Sequence, residues 1–122
     1  MRILNAENFK LLLSTCALLL LVAFQSAHAE DINCKTAFGE KSFTISDSNV
    51  AFHKQSKGRK ISSIMDARTR VTYLGFKKVL YIDGNKHLIH IENKRRFSDG
   101  DDYLTVINQK GHKMTYPLTC SN

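Results

Sequence analysis

The sequence predicts an all-β domain, a small antiparallel meander of seven to eight strands forming a barrel or sandwich, with a disulfide joining its N- and C-terminal ends. Three observations carry this. After Ala29 no segment sustains the apolar spacing of a helix, whereas short alternating runs rich in β-branched and aromatic residues recur. Turn residues punctuate those runs at intervals of about eight to twelve residues, the rhythm of sandwiches and small barrels. Cys34 and Cys120 stand at opposite ends of the domain, so a bond between them sets the first and last strands side by side or on facing sheets. A meander curled into a barrel meets that constraint most simply, and a sandwich is the alternative.

Residues 1–29 read as an export leader. Arg2 and Lys10 precede the apolar run Leu11 to Phe24, and Ala27-His28-Ala29 has the small-x-small spacing of a signal-peptidase site. The run is short for a bilayer span and no cluster of charges follows it, so cleavage after Ala29 is expected rather than retention as an anchor. Residues 30–122 then form a single domain by length, periplasmic or secreted. Cys16 leaves with the leader, and the remaining even pair, Cys34 and Cys120, oxidises in such a compartment. Two cysteines do not supply the four ligands of structural zinc.

Taken in order, Lys41 to Ser46 alternates polar and apolar side chains, as does Val50 to Lys54, and Asp47-Ser48-Asn49 joins them in a first hairpin. The polar stretch Gln55 to Lys60, with Gly58 for the turn, leads to a short strand at Ile61 to Met65. Asp66-Ala67-Arg68 is a brief connection with room for one helical turn before a strand at Arg70 to Leu74. Gly75-Phe76 leads on to the central hairpin. Asn93 to Asp102 is the longest stretch without alternation, and Tyr103 to Ile107 resumes the strand pattern. Gln109-Lys110-Gly111 turns the chain into a last strand, His112 to Leu118, with Met114, Tyr116 and Leu118 on one face. Pro117 lacks an amide hydrogen, which places that end of the strand at an edge or past the last ladder bond.

The central hairpin pairs Lys77 to Ile82 with Lys86 to Ile91 around Asp83-Gly84-Asn85, residues that accept positive φ cheaply. A loop of Gly84-Asn85, or of Asp83 to Lys86, sets Ile82 against His87 and Leu80 against Ile89. Leu80, Ile82, Ile89 and Ile91 then face the core, with Val79, Tyr81, Leu88 and His90 opposite. A three-residue loop with a bulge instead brings Val79 and Tyr81 to the face of Ile89. Either way a second face keeps apolar residues, to be covered by the chain or to serve as a contact surface.

Signals for catalysis are weak. His87 and His90 are three apart and point to opposite faces of a strand, so they do not chelate one ion, and a site drawn from His53, His90 and His112 has no local support. Ser62 or Ser63 with a histidine lacks the Gly-x-Ser-x-Gly elbow of a hydrolase. Asp99, Asp101 and Asp102 make half of a calcium loop without its later glutamate, and Lys94, Arg95 and Arg96 stand near enough to neutralise them. No cofactor, metal or enzymatic activity is expected.

Charge is the feature above background. The net charge of +7 becomes +6 once Arg2, Lys10 and Glu7 leave with the leader, which favours anionic polymers, a membrane surface or an acidic protein partner. Nucleic acid is not expected at an exported location, and only Tyr73 and Phe97 offer aromatic stacking near the cations. Arg59, Lys60, Arg68, Arg70, Lys94, Arg95 and Arg96 fall at strand ends and in loops that a meander gathers at one rim, and Arg68 and Arg70 share a face. The expected function is non-catalytic binding of an anionic envelope ligand or a protein partner through Arg68, Arg70, Lys94, Arg95, Arg96 and Tyr103.

Ser98-Asp99-Gly100-Asp101-Asp102-Tyr103 is similar to the Ser-Gly-x-x-Tyr insertion loop of the periplasmic lysozyme inhibitors, small exported β-barrels with a disulfide between their ends. It carries one extra Asp between Ser and Gly. The resemblance covers six residues and the outline of the fold, and it implies a second function: inhibition of a cell-wall hydrolase through Ser98 and Tyr103. Animal lysozymes are strongly basic and repel a domain of this charge, unless the acidic loop offsets the repulsion locally.

Overall fold

Nine strands pair antiparallel in one curled, half-barrel sheet. They are β1 (Ile32–Thr36), β2 (Ser42–Ile45), β3 (Asn49–Ser56), β4 (Arg59–Asp66), β5 (Arg68–Val71), β6 (Phe76–Ile82), β7 (Asn85–Ile91), β8 (Tyr103–Ile107) and β9 (Lys113–Ser121). The computed structural model describes residues 30–39 and 41–122, so the expected leader, residues 1–29, lies outside the described residues. In space the order is β4-β3-β2-β1-β9-β8-β7-β6-β5. The strand beyond the seven to eight expected is β1, whose five residues Ile-Asn-Cys-Lys-Thr carry strand formers only at their two ends yet alternate strictly between buried and exposed.

The two cysteines are direct cross-strand partners between β1 and β9, with Cα atoms 4.1 Å apart and a bond joining their sulfurs. The side-by-side arrangement therefore holds, deep within the sheet rather than at its entrance. Pro117 also sits in an interior strand. It faces Tyr103 of β8, one residue past the Thr36–Leu118 pair that ends the β1–β9 ladder, so its missing hydrogen leaves no bond unmade.

The sheet's two edges, β4 and β5, follow one another through Ala67 alone. Asp66 pairs with Asn49 of β3, and Arg68 already pairs with Val79 of β6. The expected helical turn is absent because the chain stays extended and changes partners at one residue, which the Ala67 amide fixes by donating to the Ser48 carbonyl at 3.1 Å. Tyr73 and Leu74, expected in a strand, lie in a tight turn closed by Thr72 N–H to the Gly75 carbonyl at 3.0 Å. Gly75 is required there: a Cβ would stand 1.9 Å from the Ile91 carbonyl oxygen.

In the central hairpin Asp83 and Gly84 both take positive φ, 52° and 81°, so the turn consumes two residues and Asn85 joins β7 opposite Ile82. Leu80 faces His87, a pairing that differs from each expected register, although the faces agree with the first. Leu80, Ile82, Ile89 and Ile91 turn inward with Phe43, Val50, Leu104 and Leu118 to form the core. On the outer face Val79 and Leu88 are half-buried and Tyr81 is exposed.

Candidate functional site

The inward faces of β1, β2, β5 and β6 diverge toward one rim, where the turns after β2 and β5 and the loop between β7 and β8 gather. Between them opens a cleft of about 460 Å³. Ile32 and Ile45 form one wall, Val71 and Phe76 the other, and Lys94 and Arg95 stand at the mouth beside Glu30 and Asn122. The Lys94 amide donates to the Leu74 carbonyl at 3.0 Å, which locks the basic loop to the β5–β6 turn.

Within the cleft lies a group that the sequence reading did not single out. Lys78 projects inward from β6 and is 3 % exposed. Its ammonium donates to the Thr69 hydroxyl at 2.5 Å and to the Asp47 carbonyl, and it stands 5.7 Å from the centre of the Phe76 ring. Burial pushes its pKa below the usual lysine value, and the negative charge of Asp47 partly opposes this. Among the described residues no carboxylate lies within 4.0 Å of it, the sole ion pair there being His90 with Glu92. The signal was parity: in a strand whose Leu80 and Ile82 face the core, Lys78 shares their side.

The expected rim residues divide. Lys94 and Arg95 line the cleft. Arg68 and Arg70 do share a face of β5, the outer one, where Arg70 lies opposite Lys77, while Thr69 and Val71, which alternate with them, line the cleft. Arg96 is exposed beside Arg95. Of the two aromatics near these cations, Tyr73 is exposed, whereas Phe97 packs on the core.

Tyr103 stacks on the outer face against His90, ring centroids 4.7 Å apart, and His90 Nε2 meets Glu92 at 2.7 Å. The acidic loop does not pair with the neighbouring cations as expected. Asp102 turns inward, 1 % exposed, and its two oxygens accept the Glu92 and Ser98 amides at 2.9 Å each. Backbone donors thus satisfy it in place of Lys94, Arg95 or Arg96, leaving Asp99 and Asp101 exposed.

No protein family, curated protein or solved structure matches the chain. Function is therefore read from the side chains.

Two histidines bear on catalysis. His53 lies between the Ser62 hydroxyl, 2.7 Å from Nδ1, and the Thr44 hydroxyl, 2.8 Å from Nε2, and Thr44 donates on to Asn33 Oδ1 at 2.7 Å. Burial and then the charge of Lys60 lower the His53 pKa. A serine and a neutral imidazole do meet here, but a threonine holds the orienting position that a carboxylate takes in hydrolases, and Ser62 is on the exposed edge strand β4. This chain of bonds ties β1 through β4 together across the outer face. His87 is buried inside the sheet, edge-on to Phe52 at 5.9 Å.

Proposed function

We propose that the chain is a small exported, non-catalytic binding protein that engages an anionic ligand of the cell envelope, or an acidic protein partner, through its basic rim. The observation that carries this reading is the convergence of Lys78, Lys94 and Arg95 on one cleft with apolar walls. These three cations outnumber the two carboxylates that line the cleft, Glu30 and Asp47, and an excess of positive charge on a low-dielectric concavity focuses the field outward and raises the local concentration of anions. Arg70 and Arg96 extend the positive surface beyond the cleft, and exposed Tyr73 and Leu74 beside it suit a membrane surface as the source of the anion.

Binding to an acidic polymer column at low salt, released as salt rises, is the expected behaviour. Replacing both Arg95→Glu and Arg96→Glu should abolish retention. Unchanged retention of the double variant would end this reading.

A second reading, inhibition of a cell-wall hydrolase by the Ser98–Tyr103 loop, draws support from the Asp102 clamp. It holds the loop in one shape while Asp99 and Asp101 point outward, so little ordering cost remains on binding a basic cleft. Inhibition of a hydrolase panel that disappears with Asp99→Lys and Asp101→Lys would support it, and no inhibition at micromolar protein would remove it.

A further inference from the structure

A lysine 3 % exposed with no carboxylate of the described residues within 4.0 Å is an expensive arrangement. Desolvation of an ammonium costs several kcal/mol, and buried charges are ordinarily paired. Lys78 has three donors, and its two recorded bonds end on neutral oxygens, the Asp47 carbonyl and the Thr69 hydroxyl. The remaining donor has no recorded partner among the described residues, and Lys78 lines the cleft. Ile32, Ile45, Val71 and Phe76 give the cleft its apolar surface, and Ser46, Asp47 and Thr69 are the polar residues that line it with Lys78, away from the exposed Glu30, Lys94, Arg95 and Asn122. The volume, about 460 Å³, falls within the span of about 300–1,000 Å³ that holds small ligands.

A buried cation in a cleft that Ile32, Ile45, Val71 and Phe76 also line suits a ligand that is apolar along its length and singly anionic at one end. We propose that the cleft takes a fatty acid, its carboxylate seated on Lys78 and its chain lying back between Ile32, Ile45 and Phe76 toward exposed Val71. The ligand carboxylate supplies at contact distance the counter-charge that Asp47, farther than 4.0 Å, provides only in part. Thr69, opposite Lys78 on β5, shares in fixing the head group because its hydroxyl holds the ammonium in place. Lys94 and Arg95 at the mouth attract the anion on approach, and their aliphatic stems flank the chain once it is seated. This inference rests on the proposed anion-binding role of the rim and names the ligand class.

The test titrates the purified protein with oleate in competition with a fluorescent fatty acid, alongside oleyl alcohol, which keeps the chain and lacks the charge, and acetate, which keeps the charge and lacks the chain. Expected are one oleate per protein and a loss of tenfold or more for each of the other two. Lys78→Met should lose oleate at least tenfold while its melting temperature without ligand is not lowered, because a desolvated charge has been removed. Should that variant fold poorly, Val71→Asp, a change at an exposed residue of the cleft wall, should lose oleate by a similar factor.

Equal affinity for oleate and oleyl alcohol, or full oleate binding by Lys78→Met or Val71→Asp, would overturn the proposal. If the protein is retained on an acidic polymer and releases on Arg95→Glu/Arg96→Glu reversal yet ignores oleate, the ligand class is wrong and the rim reading stands. If it does neither, both fall.

Discussion

His87 faces inward from β7, and burial holds its pKa below the ordinary 6.5. A bond from Nδ1 to the Asn85 carbonyl at 3.1 Å acts in the opposite direction, and the charge of Lys41 adds to the lowering. In the folded chain His87 therefore stays neutral at pH values where the unfolded chain has already taken up a proton. Its contribution to stability is complete above about pH 6.5 and is lost as pH falls below it. The melting temperature should drop between pH 7 and pH 5, and His87→Leu should flatten that drop. His53, shifted in the same direction by burial and Lys60, keeps a residual slope. An unaltered slope in the variant would place the proton uptake elsewhere. At this scale the site was legible only in part. Arg95 and Lys94 are visible as part of a run of three cations in a loop, whereas nothing in Lys77-Lys78 sets the second lysine apart, because charge is read more readily than the side of the strand that bears it. In the sequence Asp102 groups with Asp99 and Asp101 against the neighbouring cations, since nothing local shows that two backbone amides will converge on one carboxylate and leave its neighbours free.

Among the elements, the turn between β5 and β6 depends on a missing side chain. A Cβ on Gly75 would meet the Ile91 carbonyl oxygen at 1.9 Å and the Glu92 carbonyl oxygen at 2.7 Å, and both contacts are backbone that does not swing aside. Gly75→Ala should destabilise by about 1–3 kcal/mol, the usual result of overpacking, as read by denaturant unfolding. It should also push the Lys94–Arg96 loop away from Leu74 and weaken the cleft. A variant as stable as the parent would mean that the turn relaxes freely. Strands with clean alternation, such as Lys77 to Ile82 and Tyr103 to Ile107, were legible almost residue by residue. Those that failed, β1 and β5, are short and polar on one side, and β1 is held in addition by β9 at the far end of the chain rather than by its own composition. The hairpin register was lost on one residue, because positive φ at Asp83 moves the two-residue loop from Gly84-Asn85 to Asp83-Gly84.

For the molecule as a whole, the bond between Cys34 and Cys120 spans a sequence separation of 86 residues. In the chain-entropy account, closing a loop of that length stabilises by about 4 to 5 kcal/mol, a large share of what a domain of this size retains. Reduction, or the pair Cys34→Ala and Cys120→Ala, should lower the unfolding free energy by that order, and a drop below about 1 kcal/mol would show that the β1–β9 ladder holds without it. The overall class was legible because that cysteine pair and the strand rhythm constrain the same thing from two directions. The open seam was not, since no turn residue marks Ala67.

The pairing of β1 with β9 has one more consequence. Among the ladders it alone joins strands remote in sequence, so read from one edge to the other the sheet runs β5 to β9 and then β1 to β4 without a break in neighbour order. A circularly permuted chain, opened at Ala67 and spliced from Asn122 to Glu30 across the rim where both residues sit, would contain hairpin contacts alone. Such a chain has the lower contact order and should fold faster than the natural one.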